Sequence, residues 1–157
     1  MKRKVHFSLL CKVITIAAIG LLTSALISAW PDGLRLLPVA VIFGLMMATG
    51  LYYCPVAVAA DDKCVRIHRL LSRPKTFAYT DIASAGYCYP SGGGLRLCGS
   101  GGFFGFWGYF HDIAIGSYFG YYGDRSQCFC IRLKNGRQYV VSCRDSEKMS
   151  LFIESHI

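Results

Sequence analysis

The chain has 157 residues, a formal net charge of +8 and 54% hydrophobic residues, a balance that excludes a disordered, solvated polymer. The apolar residues are concentrated near the N-terminus, and the remainder of the chain suffices for one small domain, not two. Eight cysteines would suggest a disulfide framework in an exported domain and reduced, core-filling thiols in a cytoplasmic one.

In chain order, a basic segment, residues 1–12 with Lys2, Arg3, Lys4 and Lys12, precedes two uncharged stretches, Val13–Trp30 and Leu36–Ala60. Each is long enough to cross a hydrocarbon core of about 30 Å as a helix. The short joint Pro31–Arg35 allows only a tight antiparallel hairpin, so residues 13–60 are expected to form a two-helix transmembrane hairpin. Asp32 and Arg35 cancel in the joint, whereas both outer flanks are basic. The positive-inside rule therefore places both termini in the cytoplasm of a bacterial inner membrane. A cleavable signal peptide fits less well, because the first apolar run exceeds a signal core and a second comes at once.

Residues 61–157 are expected to be a cytoplasmic, mainly-β domain. Cys64–Leu70 alternates Val65 and Ile67 against Arg66 and His68, Ser72–Lys75 interrupts, and Lys75–Tyr79 extends again, a hairpin pattern. Gln127–Leu133 and Arg137–Cys143 flank Asn135-Gly136. A three-residue Lys134-Asn135-Gly136 loop gathers Phe129, Ile131 and Leu133 on one face with Tyr139, Val141 and Cys143. That register turns Cys128 and Cys130 outward. The chain ends in a helix, capped by Asp145 or Ser146, with Met149, Phe152, Ile153 and Ile157 on its apolar stripe. Strands closed by one amphipathic helix suggest a strongly bent sheet or barrel with the helix plugging one opening.

The strand Val65–Arg69, the segment Phe77–Ala85, the hairpin-plus-helix Cys130–Ile157 and the glycine-aromatic run Arg96–Phe110 continuing to Gly116–Tyr122 together resemble the bacterial pleckstrin-homology-like domains. The resemblance implies a bent barrel with a C-terminal helix, used behind membrane spans as a binding or assembly platform and without established catalysis. The basic phosphoinositide signature of the eukaryotic relatives is not apparent, so no ligand type carries over.

Gly86–Gly123 is rich in glycine and aromatics. Gly99-Ser100-Gly101-Gly102 lacks the lysine and hydroxyl residue of a phosphate-binding loop, and Arg96, Asp112 and Asp124 leave apolar pieces too short for a third span. The glycines can permit tight bends and close strand approach, with the aromatics filling the core. Alternatively Phe103, Phe104, Phe106, Trp107 and Tyr109 contact the headgroup layer or a partner's groove. Arg66, Arg69, Arg73 and Lys75, clustered in the first hairpin, are candidates for an anionic surface, where each exposed cation contributes about 1 kcal/mol.

No metal site or cofactor is expected, because Cys128-x-Cys130 lacks a second ligand pair and the histidines are scattered. His111-Asp112 near Cys98 and Ser100 forms no recognisable nucleophile motif, so no enzyme is expected, and no nucleic-acid module is evident. The expected function is a membrane-anchored binding or assembly module engaging membrane lipids or a protein partner, with oligomerisation open. The alternatives are a structural assembly subunit without its own ligand and, less favoured, a small-molecule enzyme.

Overall fold

The structure is a computed structural model that describes residues 1–91 and 94–157. Two apolar helices, α1 (Leu9–Ala29) and α2 (Gly33–Tyr53), form an antiparallel hairpin. Both are long and apolar enough to cross a membrane, each rising about 30 Å at 1.5 Å per residue. Ser8 caps α1, its hydroxyl accepting the Cys11 N–H at 3.3 Å. The second helix stops well before the end of its apolar run. Pro55 disfavours helical geometry at Cys54, which adopts φ −54° and ψ 113°. Residues 55–60, expected to continue the span, instead form strand β2 (Pro55–Ala60).

That strand organises the first sheet, which runs β1-β2-β3-β4 with β1 (Lys2–Lys4), β3 (Cys64–Arg69) and β4 (Lys75–Ala78), all antiparallel. The basic N-terminus is thus an edge strand, with Lys2 opposite Ala59 and Lys4 opposite Ala57. The expected β3–β4 hairpin is present, and Val65 and Ile67 are fully buried while Arg66 faces out.

The second sheet has the order β5-β9-β10-β8-β7-β6: β5 (Ile82–Cys88), β6 (Leu95–Gly102), β7 (Gly105–Asp112), β8 (Gly116–Tyr122), β9 (Cys128–Leu133) and β10 (Gln138–Ser142). Among the described residues, only the β8–β10 pair is parallel. The glycine-aromatic run supplies the meander β6-β7-β8. Gly99 lies opposite Gly108, and Gly108 opposite Gly120. Gly99 and Gly108 have φ of +123° and +120°, and a Cβ on either would collide with the facing backbone, so these two strands approach closely only because both are glycine. In β9–β10, Ile131 faces Tyr139 and Phe129 faces Val141, and Leu133 closes the loop by donating to the Arg137 carbonyl. This is the three-residue loop read from the sequence, with Gly136 at φ +81°.

The main core lies between the two sheets and contains Val58, Ile67, Phe77, Phe129, Ile131 and Val141. Helix α3 (Ser146–Glu154) closes it with Met149 and Ile153, both fully buried, while Phe152 is partly buried and Ile157 exposed. Glu154 also accepts the Ala85 N–H of β5 at 2.6 Å. The sheets share no strand ladder among the described residues, so the expected bent barrel is realised as two separate sheets with a C-terminal helix and without closure.

A second cluster covers the opposite face of the larger sheet, joining Cys11 of α1 to Phe106, Phe110, Tyr118 and Tyr122. Cys128 and Cys130, read from the register as outward, are buried in it. The register is right, but bulky aromatics of β7 and β8 clothe the face that simple alternation assigns to solvent.

Candidate membrane-proximal contact site

The end of the β domain nearest the helices is fixed by chain geometry: β2 begins directly after α2, so Pro55 and its partner Arg69 mark that end. The β6–β7 turn lies there too. Gly102 and Gly105 flank Phe103-Phe104, with Phe104 at φ +52°. Its backbone is clamped by α1, because the Thr15 hydroxyl accepts the Phe104 N–H at 3.0 Å and has the Gly102 carbonyl in donor range at 3.2 Å. On α2, Gly50 leaves space for the two rings. A Cβ there would lie 2.7 Å from Phe104 and 2.8 Å from Phe103. The turn is therefore wedged against both helices of the hairpin.

The expected aromatic contacts separate into different roles. Phe103 and Phe104 are half-buried against the helices. Phe106, 2% exposed, is a core ring stacked on Tyr122 at 5.0 Å and inaccessible to a partner. Trp107 stacks on Tyr53 at the foot of α2, with centroids 4.8 Å apart, and its Nε1–H donates to the Phe103 carbonyl at 3.1 Å. Tyr109, 58% exposed, packs edge-on against Phe119 and is the most accessible of the five.

The four cations also diverge. Arg66 is paired with Asp61 at 3.0 Å. Lys75 sits near the rings of Phe77 and Tyr139. Arg69 lies over Tyr52, 5.3 Å from the ring centroid, and donates to the Arg73 carbonyl at 2.6 Å, so Arg69 and Arg73 gather beside the foot of α2. Between them, Leu70 and Leu71 are 50% and 65% exposed in a loop tied to that helix by Ser72, whose hydroxyl donates to the Tyr52 carbonyl at 3.0 Å. Sequence reasoning missed this leucine pair. Its signal was two adjacent leucines flanked by arginines where a polar turn was expected.

The groups considered for chemistry do not assemble. His111 Nδ1 lies 2.9 Å from Ser117 Oγ across β7–β8. Asp112, its neighbour, points to the opposite face of the strand and accepts Ser91 N–H at 2.7 Å, Ser91 Oγ–H at 2.6 Å and Ala114 N–H at 2.9 Å. It is 1% exposed. Burial opposes its charge, but these donors outweigh that cost and hold the carboxyl below its ordinary value. Burial pushes the thiols of Cys88 and Cys143 up to about 12 and that of Cys128 well above its usual range, leaving them protonated and poorly nucleophilic. Among the described residues, no group of three His, Cys, Asp or Glu side chains is placed to hold a metal.

Fold and site together define a two-helix apolar hairpin carrying a mainly-β domain, with an aromatic turn and a leucine-arginine loop at the helix-proximal end. Family models, curated proteins and solved structures return no match to the chain.

Proposed function

We propose that this protein is a membrane-anchored binding or assembly module whose pleckstrin-homology-like domain engages a lipid or protein partner at the cytoplasmic surface of a bacterial inner membrane. The observation that carries the reading is the clamp between Thr15 and the Phe103-Phe104 turn, which attaches the domain to the helix hairpin through side-chain contacts as well as the chain itself. A domain so attached presents a fixed face to the bilayer. Trp107, Tyr52 and Tyr53 then lie at interface depth, where amphipathic rings are favoured, and Leu70 and Leu71 reach the headgroup layer with Arg69 and Arg73 beside them. Pairing of β1 with β2 keeps the N-terminus on the same side as the domain, and the basic flanks favour the cytoplasmic side.

A photo-crosslinking residue placed separately at Leu71, Tyr109 and the exposed control Lys148 tests the reading in native membranes. Lipid adducts are expected at Leu71, and lipid or protein adducts at Tyr109. Yields at both positions no higher than at Lys148 would refute it.

A further inference from the structure

A cleft of about 240 Å³ opens beside β6, β7, β8 and the turn after β8. At about 30 Å³ per water, it has room for a tetrahedral oxyanion with its ester link. Two guanidinium groups line it. That of Arg125 lies over the Phe106 ring, 4.6 Å from the centroid, and its Nε is buried without a hydrogen-bond partner. Arg96, exposed on β6, extends along the strand so that its Nη1 would sit 2.7 Å from a Cβ at Gly101, which keeps that wall open by lacking one.

Among the described residues, neither arginine has a carboxylate within ion-pair distance. The nearby acids are committed elsewhere, Asp112 to Ser91 and Ala114, and Asp124 to Ser126 and His6. The hydroxyls of Tyr118 and Tyr122 lie 3.5 Å apart in the same cleft. Only one hydrogen can serve that contact, so one hydroxyl donor remains. Burial raises both phenols above their ordinary value, keeping them protonated donors. Two forked cations without a carboxylate partner and a neutral hydroxyl, all lining one cleft, are the kinds of donor a phosphate accepts from.

We infer that this cleft binds a phosphate group, held by Arg96 and Arg125 with a tyrosine hydroxyl as third donor. The cleft's position bears on the source. Gly123, two residues before Arg125, accepts the Ser8 N–H at 3.0 Å and the Cys11 thiol at 3.2 Å, so the Arg125 side adjoins the start of α1. In the proposed membrane reading, on which this part rests, that is headgroup level. The chemistry is shared by a phospholipid phosphomonoester and free phosphate.

The full chain in phosphatidylcholine nanodiscs separates the sources. Its melting temperature is measured with added inorganic phosphate against chloride at matched ionic strength, and again in discs doped with phosphatidic acid. Saturation roughly a hundredfold above Kd should raise the melting temperature by about 5–10 °C. A shift with phosphate identifies a soluble source, and a shift only with phosphatidic acid identifies a headgroup. In either case Arg96→Gln and Arg125→Gln should weaken binding at least tenfold, while Arg137→Gln, away from the cleft, should not. Arg96 is exposed, so its variant carries the test if Arg125→Gln misfolds. No shift in either arm, or an unchanged shift in Arg96→Gln, would overturn the inference. Failure of the membrane reading would show separately, as protein that does not co-elute with the discs.

Discussion

Replacing Thr15 by valine removes one hydroxyl while keeping the β-branched shape, and that hydroxyl is the acceptor for the Phe104 N–H. The same group reaches the Cys11 carbonyl at 2.7 Å and the Gly102 carbonyl at 3.2 Å. The Phe104 amide is part-buried in a turn pressed against α1 and α2. An unsatisfied, part-buried donor costs about 1–2 kcal/mol, and valine creates no cavity to add to it. Opening of the turn should therefore become roughly 5- to 30-fold more frequent. Hydrogen exchange followed by mass spectrometry on the reconstituted full chain reads this directly. A peptide covering residues 100–107 should exchange faster in Thr15→Val, Thr15→Ser should stay close to the parent, and a β9 peptide should be unchanged in both. Equal protection of residues 100–107 in all three proteins would refute the clamp.

Met149, fully buried where α3 meets the core, should cost about 2–5 kcal/mol when changed to alanine, whereas the exposed Lys148→Ala should cost less than about 0.5, as measured by urea unfolding of detergent-solubilised protein. Similar small effects would mean that α3 does not close the core. Asp112→Asn should cost about 1–3 kcal/mol, because whichever way the amide turns, its NH2 faces a donor, either of Ser91 or of Ala114. The parent carboxyl titrates below its ordinary 3.8. Its stabilisation is thus complete above the unfolded value and is lost as pH falls below about 4 toward the folded one. Thermal melts taken between neutral and strongly acidic pH should show the parent losing its advantage over Asp112→Asn below about pH 4; parallel curves would contradict the assignment.

Local patterns were readable where short-range chemistry decides the outcome. Alternation in Cys64–Arg69 and the glycine in Lys134-Asn135-Gly136 determine their hairpins with little help from the rest of the fold. The end of α2 was marked by Pro55, yet the apolar residues 55–60 suit a span and a buried strand equally well. Three basic residues at Lys2–Lys4 give no strand signal, because their pairing depends on β2 reaching them from beyond both helices. The parallel β8–β10 pair and the burial of Cys128 and Cys130 are likewise products of distant packing. Among the contact candidates, residue type identified the aromatic turn, but only the register distinguishes core Phe106 from exposed Tyr109. Arg125 carries no local signal in the sequence, because its cleft combines it with Arg96 and Tyr118 from different strands.

The strand pair β1–β2 makes the helix hairpin an insertion between adjacent strands of one sheet. Lys2 is synthesised well before Ala59 and meets it only after both helices have been made. The sheet edge is therefore completed in the order of synthesis from the far side of the hairpin, and under the proposed membrane reading a chain whose helices fail to return to the starting side leaves β2 without its outer partner. Under that reading correct insertion is recorded in the sheet itself: a properly threaded hairpin gives four strands, and a misthreaded one exposes an open, apolar edge at Val56–Ala60 of the kind quality-control proteases and chaperones engage.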